Sequence, residues 1–235
     1  MISVVISYCN NDFKFIEENI AQAKKFADDI IIVFCRYGFD GIKEDIETLN
    51  KLFSVSVGCR LYEIPFTTGQ SNKYHHNLMR YEGVKIAQND YILFLDADEI
   101  MEGELFNQYI SEKKYLDYDV ISFKCYWYFR ERQNRAVQTE QAAVLCKKSI
   151  CDYSYIFSEA ERWEFFNRKL KFLENETFGE KVLCHHYSWV RTKEEMLKKV
   201  RCWGHKDERN WVALINEEFE HEFRKTDFIH KYNYI

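Results

Sequence analysis

The first 95 residues alternate short apolar runs with segments of helical spacing, and this rhythm restricts the fold more than any other feature of the sequence. Runs 3–8, 29–34 and 91–95 are rich in β-branched and large apolar residues and carry little polar alternation. Such runs are typical of strands covered on both faces. Apolar residues at helical spacing fill 15–27 and 42–53 between them. The pattern predicts a mostly parallel central sheet with helices on both faces.

The remaining elements are less regular. Residues 61–64 read as a third short strand that stops at Pro65, the only proline, and a third helix begins at Ser71 and runs towards Ala87. Thr192 and Glu195 form a capping-box pattern that predicts a later helix. Further predictions are a helix over 104–111, strands over 119–129 and 142–150, and an irregular stretch over 153–180.

Composition excludes several classes of protein. The chain has 235 residues, 46% of them hydrophobic, with 33 basic and 38 acidic side chains for a net charge of −5, so it is globular and a poor nucleic-acid binder. Its 8 cysteines include no CxxC pair, which favours free thiols in a reducing compartment. No apolar run approaches the ~20 residues of a membrane span and no signal sequence is recognised. A cytoplasmic location is therefore expected, with a peripheral membrane association and an oligomer both allowed.

Three carboxylates follow the apolar run 91–95, at Asp96, Asp98 and Glu99. In extended backbone, side chains two positions apart point to one side, so Asp96 and Asp98 can share a ligand, and Ala97 between them allows close approach. Hard divalent cations prefer carboxylate oxygens and substrate phosphates. In parallel sheets, ligands bind outside the carboxyl ends of the strands. The position favours a metal site over a solvated acidic turn, the alternative for a bare D-x-D.

The sequence around this run resembles family 2 glycosyltransferases of the GT-A fold. Their pattern places an Asn on a helix, an Ala near its end, and then a strand that closes in L-D-x-D. The first strand, through Asn10, is similar to the family's first strand, whose end contacts the nucleotide base. The residues that carry the resemblance are Gly69, Gln70, Ser71, Asn77, Ala87, 90–98 and 2–10.

The resemblance implies a GT-A-type Rossmann-like sandwich, a nucleotide-sugar donor, commonly a UDP-sugar, and Mn²⁺ or Mg²⁺ across its phosphates. Asp98 would be the main metal ligand and Asp96 would touch the ribose or a metal-bound water. The family usually has an Asp near Cys35, and Asp40 is the candidate to replace it. The donor-binding candidates are Ser7, Tyr8, Asn10, Asp40, Asn77, Asp96 and Ala97.

The second half supplies a candidate third metal ligand and a candidate base. The resemblance implies that a histidine from this half completes the metal site. Strand alternation puts His185 and His186 on opposite faces, so only one of them, His186 in our assignment, would do so; a half-buried histidine bonded to the backbone is the alternative. A zinc cluster is disfavoured because Cys184 and the histidines lack structural zinc spacing. An inverting transferase needs a carboxylate base, for which we choose Glu161, then Glu159; an exposed helix start is the alternative reading of both.

The sequence therefore predicts a metal-dependent, inverting glycosyltransferase of the hexosyltransferase type that moves a sugar from a nucleotide diphosphate donor to a glycan or another hydroxyl acceptor. The alternatives are a sugar-phosphate nucleotidyltransferase and a non-catalytic nucleotide-sugar-binding module of the same fold. We expect a catalytic domain over 1–190, with a donor-binding half over 1–100 and an acceptor-binding half over 101–190. Residues 191–235 would form a C-terminal helical extension.

Overall fold

The computed structural model describes residues 1–157, 169–203 and 205–235. The strands in this part of the chain are β1 (Ile2–Ser7), β2 (Asp29–Phe34), β3 (Arg60–Glu63), β4 (Tyr91–Asp96), β5 (Glu99–Met101), β6 (Val120–Phe129), β7 (Glu131–Lys147), β8 (Phe172–Glu176) and β9 (Cys184–Trp189). The helices are α1 (Phe13–Ala23), α2 (Ile46–Val55), α3 (Asn72–Ile86), α4 (Gly103–Ser111), α5 (Tyr153–Ile156), α6 (Lys193–Cys202) and α7 (Trp211–Glu218).

The strands form one mixed sheet in the order β3-β2-β1-β4-β7-β6-β9-β5, with β8 paired to β6. The first four strands of this order are parallel, as expected from the apolar runs. β7 joins them antiparallel through β4 and continues into the hairpin with β6. The carboxyl ends of β1 and β4 therefore lie side by side, with Ser7 opposite Asp96.

Helices cover both faces of the parallel part. One apolar cluster packs Val4 and Ile6 of β1 with residues of α1, α2 and α4, and a second packs Val5 with residues of α3 and α5. The approach of α3 is so close that a Cβ on Gly83 would overlap Val5. The helices on both faces and the mostly parallel sheet confirm the predicted fold class.

A third apolar cluster joins the C-terminal residues to the far end of the sheet. It contains Trp127 of β6, Trp189 of β9 and Trp211 of α7 together with Phe228 and Tyr234. α6 begins at Lys193 behind the predicted capping box, in which Thr192 and Glu195 cap each other. No helix in the three described ranges is long and apolar enough to cross a membrane.

Several predicted elements were wrong in their limits. The helix expected over 42–53 begins at Ile46, behind the N-cap Asp45, and Ile42 and Ile46 are exposed rather than packed. Leu49 and Leu52 form its buried face instead. Of the strand expected over 142–150, residues 142–147 are the last part of the longer β7, whereas 148–150 form a short 3₁₀ helix. Both α5 and β8 lie in the stretch read as irregular.

Candidate functional site

The acidic residues after β4 lie in a tight turn at the carboxyl end of that strand. The extended backbone expected there is wrong, because residues 97 and 98 form a turn between β4 and β5. Ala97 N–H donates to Ser7 O at 3.1 Å, and Asn19 Nδ2 donates to the carbonyls of Asp96, Ala97 and Glu99 at 2.8–3.2 Å. The buried Glu99 carboxylate accepts the backbone N–H of Asp96 at 2.9 Å. The turn is thus anchored before any ligand binds.

Beside this turn lies a cavity that we call the Asp98 cleft. It opens at the carboxyl ends of β1 and β4, between α3 on one side and β9 and α6 on the other. Its lining includes the side chains of Ser7, His76, Asp96, Asp98, His186 and Lys199. A parallel sheet places its ligand sites at this edge.

Asp98 is nearly buried and faces three basic side chains. Its Oδ2 accepts from Arg191 Nη2 at 3.1 Å and from Lys199 Nζ at 3.5 Å, and its Oδ1 lies 3.7 Å from His186 Nε2. Burial alone would raise the pKa of the Asp98 carboxyl, but the charges of Lys199, His186 and Arg191 lower it below its usual value. Asp98 is therefore held ionised in a site from which most water is excluded.

Asp96 lines the same cleft but has its own basic partners. Its Oδ1 lies 2.9 Å from His76 Nε2 and accepts from Arg80 Nη2 at 3.2 Å. His76 and Arg80 stand one helical turn apart on α3, so both reach the end of β4. The two carboxylates thus share the cleft while different elements compensate their charges.

Polar groups at the end of β1 point to a ligand in this cleft. Ser7 Oγ and Asn11 Nδ2 are buried without a hydrogen-bond partner in the part of the chain that the structure describes. Both residues line the cleft, as does Tyr8. Buried polar atoms seldom lack a hydrogen-bond partner in native proteins, so these two atoms are suited to hydrogen-bond a bound polar molecule.

The other donor-binding candidates lie around the cleft rather than in its lining. Asn10 is buried and accepts from Tyr8 OH at 3.0 Å, and Asn77 is buried on α3. Asp40 is exposed and accepts from the thiol of Cys202, which does line the cleft. Ala97 is fully buried in the turn.

The histidine pair of β9 divides between two environments. His186 lines the cleft and packs against Trp127, with ring centroids 4.9 Å apart. His185 lies 2.7 Å from both Glu102 and the hydroxyl of Tyr128. Among the described residues, no group of three or more His, Cys, Asp or Glu side chains is arranged to hold a metal.

Glu159 and Glu161, the candidate bases, lie outside the described residues. Sequence reasoning did not identify four basic residues of the site: His76, Arg80, Arg191 and Lys199. The i, i+4 spacing of the first two on a helix that precedes the acidic strand was a usable signal. The pattern H-x-S-W-V-R … K … W-G-H over 186–205, which includes Arg191, resembles the end of some family 2 glycosyltransferases. It assigned no role to Arg191 or Lys199, because their partners lie about a hundred residues or more away in the sequence.

A sequence model of the family described as Glycosyl transferase family 2 matches residues 3–195. A search of curated proteins found no match. The structural neighbours share the GT-A, Rossmann-like architecture.

Three solved structures illustrate this likeness. The S. aureus TarS fragment 1–349 in complex with UDP-GlcNAc is 17% identical with a TM-score of 0.52, and the match covers 94% of this chain and 73% of that one. Another crystal structure of S. aureus TarS 1–349 is 13% identical with a TM-score of 0.51, and the match covers 79% of this chain. It covers 60% of that fragment, which is less than two thirds of its length. A putative glucose-1-phosphate thymidylyltransferase from Bacillus anthracis is 12% identical with a TM-score of 0.52, covering 92% and 96%. At these identities the likeness shows the fold alone.

Proposed function

This chain belongs to glycosyl transferase family 2, and from that premise we propose that it transfers a sugar, of the hexosyl type, from a nucleotide diphosphate donor to a hydroxyl of a glycan or another acceptor. The donor binds in the Asp98 cleft, with residues 1–100 forming the donor half and 101–190 the acceptor half. A UDP-sugar is the donor we propose. The C-terminal residues 191–235 extend the catalytic domain.

The observation that carries this proposal is the charge arrangement of the cleft. Asp96 and Asp98 line the cleft at the end of the parallel sheet, where Arg80 donates to Asp96 and both Arg191 and Lys199 donate to Asp98. A diphosphate needs compensating positive charge, and its departure from a sugar needs still more. The unpaired Ser7 Oγ and Asn11 Nδ2 supply polar partners for a nucleoside beside it.

A divalent cation fits one side of this arrangement. Asp98 Oδ1 and His186 Nε2 offer an oxygen and a nitrogen ligand 3.7 Å apart in the cleft. Two protein ligands suffice when substrate phosphates complete the coordination, as is usual for Mg²⁺ and compatible with Mn²⁺. Arg80 and His76 compensate Asp96 from the other side, so we place Asp96 nearer the sugar or ribose. A bound cation would supply charge neutralisation for the leaving diphosphate.

Residues of the chain itself bind the nucleoside, position Asp98 and accept the acceptor's proton. Ser7, Tyr8 and Asn11 bind the nucleoside end, and the anchored turn fixes the position of Asp98 relative to it. For an inverting reaction, the acceptor hydroxyl gives its proton to a carboxylate on the opposite side of the sugar carbon. Glu161, then Glu159, remain the proposed bases.

The nucleotidyltransferase alternative has weaker support. That class usually holds a triphosphate on a Gly-rich, basic loop after the first strand. Here Asn10, Asn11 and Asp12 follow β1, and they form a short 3₁₀ helix without a glycine or a cation. A non-catalytic module is disfavoured because the acidic turn and its basic partners are all in place.

The direct test is a thermal-shift panel of nucleoside diphosphates with and without Mn²⁺. A ligand that binds only the native state raises the melting temperature by mass action. We expect one nucleoside diphosphate, UDP in our proposal, to raise it more with Mn²⁺ than without. No shift with any nucleotide would contradict the proposed function.

Asp98→Asn is the corresponding activity test. We expect donor hydrolysis to fall by about 10²-fold or more, because the variant loses the carboxylate proposed to hold the divalent cation that neutralises the leaving diphosphate. The matched control is Asp90→Asn, an exposed carboxylate at the opposite end of β4, which should keep wild-type turnover. Circular dichroism checks that both variants fold. Unchanged turnover in Asp98→Asn would remove this residue from the reaction.

A further inference from the structure

The two cations that meet Asp98 Oδ2 are held in very different ways. Arg191 is fully buried, and each donor nitrogen is used: Nε donates to Ser188 O at 2.9 Å, Nη1 to Asn11 O at 2.5 Å, and Nη2 to Asp12 and Asp98. Such a side chain cannot turn towards a ligand without breaking several buried bonds. Arg191 therefore has a structural role: it links the residues that follow β1 and β4 to β9.

Lys199 has the opposite character. Its side chain is 12% exposed and lines the Asp98 cleft, whereas Arg191 does not. Its ammonium carries three donor hydrogens, and within the described ranges its one hydrogen bond is the 3.5 Å contact with Asp98 Oδ2. Lys199 Nζ lies 5.9 Å from the ring centroid of Trp203, which also lines the cleft. Lys199 is thus a cation at the rim with unused donors and an unbranched stem that can swing.

Resting on the donor-binding function proposed above, we propose that Lys199 binds the diphosphate of the donor directly and stabilises it as it leaves the sugar. In the donor-free protein the ammonium rests on Asp98. When the donor enters, phosphate oxygens take up its free donor hydrogens while Arg191 keeps Asp98 in place. α6, which forms part of one side of the cleft, therefore contributes a phosphate-binding residue to the site.

The charges in the cleft support these separate roles, in which Arg191 holds Asp98 and Lys199 binds the diphosphate. A diphosphate brings negative charge next to Asp12, Asp96 and Asp98, and side chains already tied to these carboxylates can offset it only in part. Lys199 is the cation of the cleft whose hydrogen-bond donors are least occupied in the described structure. An ion pair in a site that excludes most water has more strength than one in bulk solvent.

The test compares the binding of UDP and of uridine, in buffer containing Mn²⁺, by titration calorimetry. We expect Lys199→Gln to weaken UDP binding at least tenfold and to leave uridine binding unchanged, because uridine has no phosphate. Lys199→Arg keeps the charge and should recover a large part of the loss. Lys198→Gln is the matched control: Lys198 is the neighbouring, exposed lysine, 3.9 Å from Glu44, and its loss should change neither ligand.

The outcomes separate this proposal from the one it rests on. If wild type binds UDP and Lys199→Gln binds it equally well, or loses UDP and uridine in equal measure, Lys199 does not contact the phosphates. If wild type binds neither UDP nor another nucleoside diphosphate, the proposed function itself fails. Circular dichroism of each variant checks that a loss of binding does not come from unfolding.

Discussion

Arg191 shows how much one buried side chain can organise at the residue scale. It brings together Asp12 after β1, Asp98 after β4 and the carbonyl of Ser188 on β9, so three elements meet on one guanidinium. Its planar fork of five N–H donors suits this task, and a lysine could satisfy only part of it. The residue therefore fixes the geometry on which the Asp98 cleft depends.

We expect Arg191→Lys to lower the free energy of unfolding by about 3 kcal/mol, because it leaves buried carboxylates without their hydrogen bonds. Urea denaturation with an unchanged m-value is the measurement. The control is Arg132→Lys, since Arg132 is 45% exposed and pairs with Glu18 on the surface. That change should cost less than about 1 kcal/mol. Equal losses in both variants would contradict the role assigned to Arg191.

The sequence revealed the acidic cluster but not its partners. Asp96 and Asp98 stand out because they follow an unbroken apolar run. The predicted parallel sheet places the end of that run at the carboxyl ends of the strands, where ligands bind. Arg191 and Lys199 are 2 of 33 basic residues, and only tertiary packing decides that these two face Asp98. The unpaired Ser7 Oγ likewise has no sequence signal, since burial of its hydroxyl depends on neighbours from other elements.

At the element scale, the parallel strands were predictable because full burial removes polar residues from their sequence. β1, β2 and β4 are covered on both faces and appear as continuous apolar runs. β8 has only five residues, none of them fully buried, so no periodicity marks it. The start of α2 was predicted wrongly because Ile42 and Ile46 have helical spacing, although Ile42 precedes the helix and both side chains are exposed.

Asp29, the first residue of β2, connects β2 to its neighbours β1 and β3. One carboxylate oxygen accepts from Ser3 Oγ of β1 and from Gln88 N–H at 2.9 Å, and the other accepts from Arg60 of β3. Burial would raise the pKa of the Asp29 carboxyl, but these hydrogen bonds and the charge of Arg60 together lower it. The ionised form is therefore the one that stabilises the fold.

We expect Asp29→Asn to lower the free energy of unfolding by about 2 kcal/mol at neutral pH, the usual worth of hydrogen bonds to a charged group. The pKa is lower in the folded state, so the contribution is complete above the unfolded pKa of about 4 and disappears as the pH falls through the folded value. The difference between wild type and variant should stay constant from about pH 7 to pH 5 and narrow below about pH 4.

Urea denaturation at stepped pH measures this difference. Asp28→Asn serves as the control, because Asp28 is the exposed neighbour of Asp29. That variant should remain close to wild type at each pH. A difference for Asp29→Asn that keeps its full size at about pH 3 would show that the charge of Asp29 does not matter.

At the scale of the whole molecule, the C-terminal residues and the sheet share one apolar cluster. Trp127 and Trp189 of the sheet pack with Trp203 and Trp211, and Trp203 also lines the Asp98 cleft. Near the C-terminus, Tyr234 pairs with Ala136 of β7. The cleft therefore depends on residues from both ends of the chain, although residues 191–235 are separate in sequence from the donor-binding strands.

This shared cluster predicts a single cooperative unfolding transition. Four of the five tryptophans of the chain belong to the cluster, so tryptophan fluorescence reports mainly on it, while far-ultraviolet circular dichroism reports on the whole fold. In urea, we expect the two signals to change at the same midpoint. A fluorescence transition at clearly lower urea would show that the C-terminal residues detach before the sheet unfolds.

We propose that the Asp98 cleft holds the diphosphate of a sugar donor. A crystal structure of the protein soaked with UDP and Mn²⁺ tests it most directly. We expect electron density for the diphosphate beside Asp98 and Lys199, with the uridine against Ser7 and Asn11. A cleft that stays empty under saturating UDP, or a nucleotide bound at another place on the molecule, would contradict it.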